Sequence, residues 1–156
     1  MKIINNSIRL AAIIIALNCT SSLGESLFHK KPTKKEAKNI GVKPSSKDII
    51  MHHLTSFQNN DLEAVVRDYT DESVLITQNE TYKGIKAIRQ FFTGLMKYFP
   101  KQKSSFDLDK IVVNDGLVYI VWHAKTPSLT IGLGSDTFVI KDGKIFQQTY
   151  VKSNTP

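Results

Sequence analysis

The sequence predicts an α+β fold in which helices cover one face of an antiparallel sheet. Three observations carry that prediction. Apolar residues recur at helical spacing through the first part of the folding region, whereas from Ser105 onward they alternate at period two. The alternating segments are joined by Asn114-Asp115-Gly116 and by Lys141-Asp142-Gly143-Lys144. Asp-Gly between apolar runs marks a tight hairpin, because a type I′ turn needs positive φ at both central residues. Finally, 156 residues leave room for one core and little for a second.

Residues 1–24 read as a secretory signal. Lys2 and Arg9 precede an apolar run, and Thr20, Ser21, Ser22 and Gly24 follow it. The run is shorter than the roughly 20 residues that span a bilayer, so no integral membrane segment is expected after processing. The expected location is therefore exported, periplasmic or secreted. Cys19 is the single cysteine, and Ala16-Leu17-Asn18-Cys19 faintly resembles a lipoprotein signal, which leaves lipid anchoring through Cys19 as the lesser alternative. Residues 25–46 read as a lysine-rich tether without apolar period. Much of the net charge of +7 sits there: from Lys30 to Lys47 seven lysines face only Glu25 and Glu36, while residues from Asp48 onward carry equal numbers of each sign. A neutral fold lacks the basic patch of a nucleic-acid-binding domain, so nucleic acid is not an expected partner.

The folding region, residues 47–153, opens with Ser46 as a helix cap. Ile49, Ile50, His53, Leu54 and Phe57 then follow at helical spacing until Asn59-Asn60. Asp61 caps a second helix carrying Leu62, Val65, Val66 and Tyr69. Val74 to Thr77 and Thr81 to Gly84 form two short strands about the Asn79-Glu80 turn. The longest helix starts at Gly84, has a broad apolar face with Ile88, Phe91, Phe92, Leu95 and Phe99, and stops at Pro100. The next strand begins at Ser105.

In the following strand Val118, Ile120, Trp122 and Ala124 share one face, and Leu117, Tyr119, Val121 and His123 the other. Counting outward from Asp142-Gly143 without interruption pairs Ile140 with Ile145, Phe138 with Gln147 and Asp136 with Thr149, all on one face. A carboxylate beside Phe138 is a polar group where apolar ones are expected. Gly132-Leu133-Gly134 reads as a bulge or flexible edge rather than a phosphate loop.

Several short stretches taken in order resemble the nuclear-transport-factor-2-like superfamily and, within it, the SnoaL-like proteins related to polyketide cyclases and ketosteroid isomerases. They are Asn60-Asp61-Leu62, Tyr69-Thr70-Asp71-Glu72-Ser73-Val74, Tyr82-Lys83-Gly84-Ile85-Lys86-Ala87-Ile88, Trp122, Asp136-Thr137-Phe138 and Asp142-Gly143-Lys144-Ile145. The resemblance implies a curved sheet wrapped as a cone around three helices, with a pocket inside. Carried across by position, it places His53 where the isomerases have their oxyanion tyrosine, Thr77 where they have the general base, and Asp136 where they have the oxyanion-hole acid. Threonine cannot accept a proton near neutral pH, so the isomerase route lacks its base.

The candidate chemistry is then an Asp136 and His53 pair, the carboxylate holding the imidazole that acts as base. Asp136 as a structural peg stands beside that reading. Phe57, Phe92, Trp122 and Phe138, with Thr77, Gln147 and Thr149, are the expected ligand-binding residues. No cofactor is expected, and no metal, since the sequence has no HxH, HxxxH or Cys/His cluster. Three functions remain open. The first is an exported protein binding a small apolar or aromatic molecule; the second is a metal-free cyclase, isomerase or hydrolase using Asp136 and His53. The third is a homodimer formed through the outer sheet face, with Tyr119, Val121, His123, Val139 and Phe146.

Overall fold

The computed structural model describes residues 43–154. The signal at residues 1–24, Cys19 and nearly all of the tether lie outside the described residues. Helix α1 (Ser46–Gln58) begins one residue earlier than expected, because Ser45 rather than Ser46 is its cap. The Ser45 hydroxyl accepts from the Asp48 N–H and the Asp48 carboxylate accepts from the Ser45 N–H, a reciprocal capping box. Helix α2 (Leu62–Val66) is capped by Asp61 as expected, but is a single short turn that ends before Tyr69. Strands β1 (Val74–Ile76) and β2 (Thr81–Lys83) follow, then α3 (Gly84–Met96), β3 (Ser105–Asn114), β4 (Leu117–Lys125), β5 (Thr130–Lys141) and β6 (Lys144–Asn154).

One curved, unclosed sheet runs in the order β2-β1-β6-β5-β4-β3. It is not wholly antiparallel. β1 lies parallel to β6, with Val74 opposite Gln147 and Ile76 opposite Thr149, which is possible because the two are joined by the long connection through β2, α3 and β3 to β5 and not by a hairpin. Inward residues of β4, Val118, Ile120, Trp122 and Ala124, are buried against Ile50, Leu54, Phe57, Ile88, Phe92 and Phe99 of the helical layer.

The β5–β6 hairpin turns at Asp142 and Gly143, with φ of 52° and 76°, and pairs Ile140 with Ile145 as expected. Beyond that pair the expected register fails. A bulge leaves Phe146 unpaired, so Val139 faces Gln147, Phe138 faces Gln148 and Asp136 faces Tyr150. Backbone groups of Ile145 are satisfied from outside the ladder: its N–H donates to the Asp68 carbonyl at 2.8 Å, and its carbonyl accepts from the Ser73 hydroxyl at 2.6 Å. One extra residue exchanges the faces of everything after it. Gln148 and Tyr150 therefore point inward, and Gln147 and Thr149 point to solvent.

The ladder also shifts at the glycines of β5, between Ile131 and Leu133, as the sequence suggested. Gly134 stands opposite Trp122, and a Cβ there would lie 2.2 Å from the indole Cε2. Glycine is what lets the indole lie flat across β5.

Candidate functional site

The inward row of the sheet meets α1 and α3 around a cavity of about 40 Å³. His53, Phe57, Phe92, Trp122, Asp136 and Phe138, all anticipated as site residues, line it. Thr77, Gln147 and Thr149 do not. Thr77 follows β1 and serves its turn: its hydroxyl donates to the Glu80 carbonyl and accepts from the Asn79 and Glu80 N–H groups. Gln147 and Thr149 were misplaced by the bulge, and Gln148 and Tyr150 occupy the cavity wall in their stead.

Asp136 is 5% exposed and holds two donors, Trp122 Nε1 on Oδ2 and Gln148 Nε2 on Oδ1, both at 2.7 Å. Trp122 is itself fixed between the rings of Phe106 and Tyr150, at centroid distances of 5.0 and 6.1 Å. Burial pushes the Asp136 carboxyl up to about 6, with the bonds from Gln148 and Trp122 opposing the shift. The Tyr150 hydroxyl is buried, has no hydrogen-bond partner and lines the same cavity. Burial, and then the neighbouring Asp136 charge, raise its pKa, so it stays a neutral hydroxyl.

The expected direct pairing of His53 with Asp136 is not formed: His53 Nε2 lies against the Tyr69 hydroxyl and Nδ1 against Asp68, while Asp136 bonds Trp122 and Gln148. The two are joined at a distance. Gln148 Oε1 accepts from the Tyr69 hydroxyl, and that hydroxyl lies 3.5 Å from His53 Nε2. His53 is buried edge-on against Tyr69, Phe92 and Phe138. Its Nδ1 faces Asp68 Oδ2 at 3.4 Å, while the exposed His52 places its own Nδ1 2.9 Å from Asp68 Oδ1. Tyr69 and Asp68 were not foreseen as site residues; a tyrosine at a core position next to an aspartate was the available signal, because a buried phenol needs a partner.

Beside this cavity lies a larger cleft of about 500 Å³, walled by Tyr82, Phe91, Leu129 and Ile131. Leu95 and Phe99 line both spaces and form the partition between them. Among the described residues no group of three or more His, Cys, Asp or Glu side chains is arranged to hold a metal. No helix among them is long and apolar enough to cross a membrane.

An open, curved six-stranded sheet with three helices is the nuclear-transport-factor-2-like class of folds. Within that class the chain belongs to the SnoaL-like domain family, whose sequence profile matches residues 50–148. Similar solved structures include a nuclear-transport-factor-2-like protein of unknown function from Cytophaga hutchinsonii, with TM-score 0.60 and 10% identity, covering 73% of this chain and 95% of that one. A candidate SnoaL-like polyketide cyclase from Shewanella denitrificans gives TM-score 0.59 and 14% identity, over 69% and 90% of the two chains. A candidate ketosteroid isomerase from Kribbella flavida gives TM-score 0.59 and 8% identity, over 71% and 79%. At these identities the likeness is one of fold. No curated protein matches the sequence.

The Asp136 carboxyl makes stability depend on pH with a definite sign. Its folded value of about 6 lies above the usual carboxylate range, so between about pH 4 and 6 the folded state binds more protons than the unfolded one, and stability falls as pH rises. A shift of about two pH units corresponds to about 3 kcal/mol. Urea unfolding at pH 4 and pH 7.5 should show the wild type losing a few kcal/mol that Asp136→Asn does not lose; equal pH dependence of the two proteins would refute the burial argument.

Proposed function

We propose that this SnoaL-like protein binds a small, mostly apolar or aromatic molecule carrying one oxygen function. The observation that supports this reading is the buried, unpartnered Tyr150 hydroxyl beside Asp136, in walls otherwise made of aromatic and aliphatic side chains. A buried hydroxyl without a partner is costly, and a ligand oxygen would relieve it. The inner cavity holds little more than a water molecule, whose share of liquid volume is about 30 Å³. The larger cleft on the other side of Leu95 and Phe99 has room for the body of such a ligand, and displacement of those two side chains would let its oxygen reach Tyr150 and Asp136. The leader-like pattern of residues 1–24 supports an exported location for this binding.

A second reading, an enzyme of cyclase, isomerase or hydrolase type, is favoured by one observation. A carboxyl titrating near 6 is present in both forms around neutral pH, as a general acid or base must be. In that reading Asp136 meets the substrate, and His53 acts through Gln148 and Tyr69 instead of directly.

Association of two copies through the outer sheet face is a compatible third element. Val112, Leu117, Tyr119 and Val151 are exposed there. Of the other residues expected on that face, Val121, Val139 and Phe146 are half-buried, Phe146 under the Lys141 ammonium at 5.1 Å. His123 is held by Asp109 at 2.9 Å, a hydrogen bond that raises its pKa.

Binding is tested with matched pairs of aromatic probes, phenols and ketones against the corresponding hydrocarbons, followed by calorimetry. Tyr150→Phe should weaken the oxygenated member of each pair about fivefold, the worth of one hydrogen bond, and leave the hydrocarbon unchanged. Equal loss for both members, or no binding of either by the wild type, counts against the proposal. For association, sedimentation of residues 43–156 should give a dimer that Leu117→Lys with Tyr119→Lys dissociates; a wild-type monomer at high micromolar concentration would exclude this face as an interface.

A further inference from the structure

The polar chain that begins at Asp136 does not end in the cavity. It continues through Gln148 and Tyr69 to His53, and from His53 to the buried Asp68, which in turn meets the exposed His52. Each member has a fixed inventory of hydrogens, so the direction of one bond constrains all the others. Trp122 Nε1 can only donate, which makes Asp136 Oδ2 an acceptor in every case. The remaining atoms can be satisfied in two ways.

In the first arrangement Asp136 is ionised. Gln148 Nε2 donates to Asp136 Oδ1, Tyr69 donates to Gln148 Oε1, and the Tyr69 Oη lone pairs are left to accept from His53 Nε2, 3.5 Å away. With Nδ1 also carrying hydrogen toward Asp68, His53 is an imidazolium. In the second arrangement Asp136 Oδ1 is protonated and donates to Gln148 Oε1, the amide having turned over. Gln148 Nε2 donates to Tyr69 Oη, Tyr69 donates to His53 Nε2, and His53 is neutral with its hydrogen on Nδ1. Both arrangements place N–H at Nδ1, 3.4 Å from Asp68 Oδ2, an electrostatic contact outside hydrogen-bond geometry that favours hydrogen on this nitrogen over a bare lone pair facing a carboxylate.

We propose that Asp136 and His53 share one proton through the hydrogen-bonded chain of Gln148 and Tyr69. Between the two arrangements an N–H bond at His53 Nε2 is lost and an O–H bond at Asp136 Oδ1 is gained. Tyr69 keeps one hydrogen and the Gln148 amide keeps two, so the protons balance. The groups facing the couple are few and named. Tyr150 and Tyr69 stand near Asp136; Tyr69 and Asp68 face His53, whose other sides are closed by Phe92 and Phe138; Asp68 also receives His52. The couple gives a buried acid a proton store near the surface, and this holds whatever the cavity binds.

Asp136→Asn tests it, because asparagine imposes one direction. Its oxygen must face Trp122, so its Nδ2 must donate to Gln148 Oε1, which locks the second arrangement and leaves His53 Nε2 bare. The ring ¹⁵N signals of His53 in the full chain, followed over about pH 5 to 8, read both the charge and the tautomer. Asp136→Asn should lower the ratio of doubly to singly protonated His53 at least tenfold, the least expected of coupled sites, and leave the hydrogen on Nδ1. In a Tyr69→Phe background the same substitution should change neither. Ring signals identical in wild type and Asp136→Asn would overturn the proposal, as would a neutral ring with its hydrogen on Nε2. A change that persists without the Tyr69 hydroxyl would also overturn it, assigning the effect to charge acting through space. Should Tyr69→Phe fail to fold, Gln148→Met interrupts the same chain one member earlier and serves as the background in its place, with the same two outcomes.

Discussion

A carboxyl group sealed among aromatic rings has to be given donors, and Asp136 obtains two of them, Trp122 Nε1 and Gln148 Nε2, each at 2.7 Å. Much of the local structure serves those two bonds. Trp122 reaches Asp136 because Gly134 leaves the opposite strand flat enough to accept an indole. Gln148 faces inward because Phe146 is left out of the β5–β6 ladder, and that bulge persists because Asp68 and Ser73 satisfy the backbone of Ile145. The donors are enough to keep the acid folded in place without returning it to the ordinary carboxylate range; desolvation remains the larger effect.

Family membership accounts for the sheet, the helices and the presence of a concave interior, and such folds serve unrelated purposes. The individual features are local. Thr77, where the resemblance led us to expect the isomerase base, is engaged in its own turn and does not line the cavity. What the interior does hold is an acid with a neutral tyrosine hydroxyl beside it, behind a partition of Leu95 and Phe99. That combination suits an oxygen on an otherwise apolar molecule. The polar chain that leads away from the cavity joins two of its lining residues, Asp136 and His53, through Gln148 and Tyr69.

The elements were legible because their signals are local. Helical spacing from Ile49 to Phe57, the Asp61 cap, the broad apolar face after Gly84 and the Asp142-Gly143 turn each specify their own piece of backbone. Inward placement of Val118, Ile120, Trp122 and Ala124 followed from simple alternation, since the pairing of β4 is regular until Trp122. The second half of the site was not legible, for a physical reason. Alternation is interrupted at Phe146 by bonds to Asp68 and Ser73, residues more than seventy positions away, and nothing in the adjacent Gln147-Gln148 says which of the two faces inward. The size of Tyr150 against Thr149 was the better guide, because a tyrosine ring gains more from burial than a threonine. The same long-range pairing made β1 parallel to β6, which helical and strand periodicity cannot reveal.

The account rests on Asp136 being a buried acid whose proton is held by its surroundings. A ¹³C-carboxyl titration of Asp136 in the intact protein measures this directly. The midpoint should lie near 6, and it should fall when a polar side chain at Phe138 admits water to the cavity. A midpoint in the ordinary aspartate range, about 3.9, with no response to that change would contradict it, and would leave the carboxyl as a solvated group with no special place in the fold.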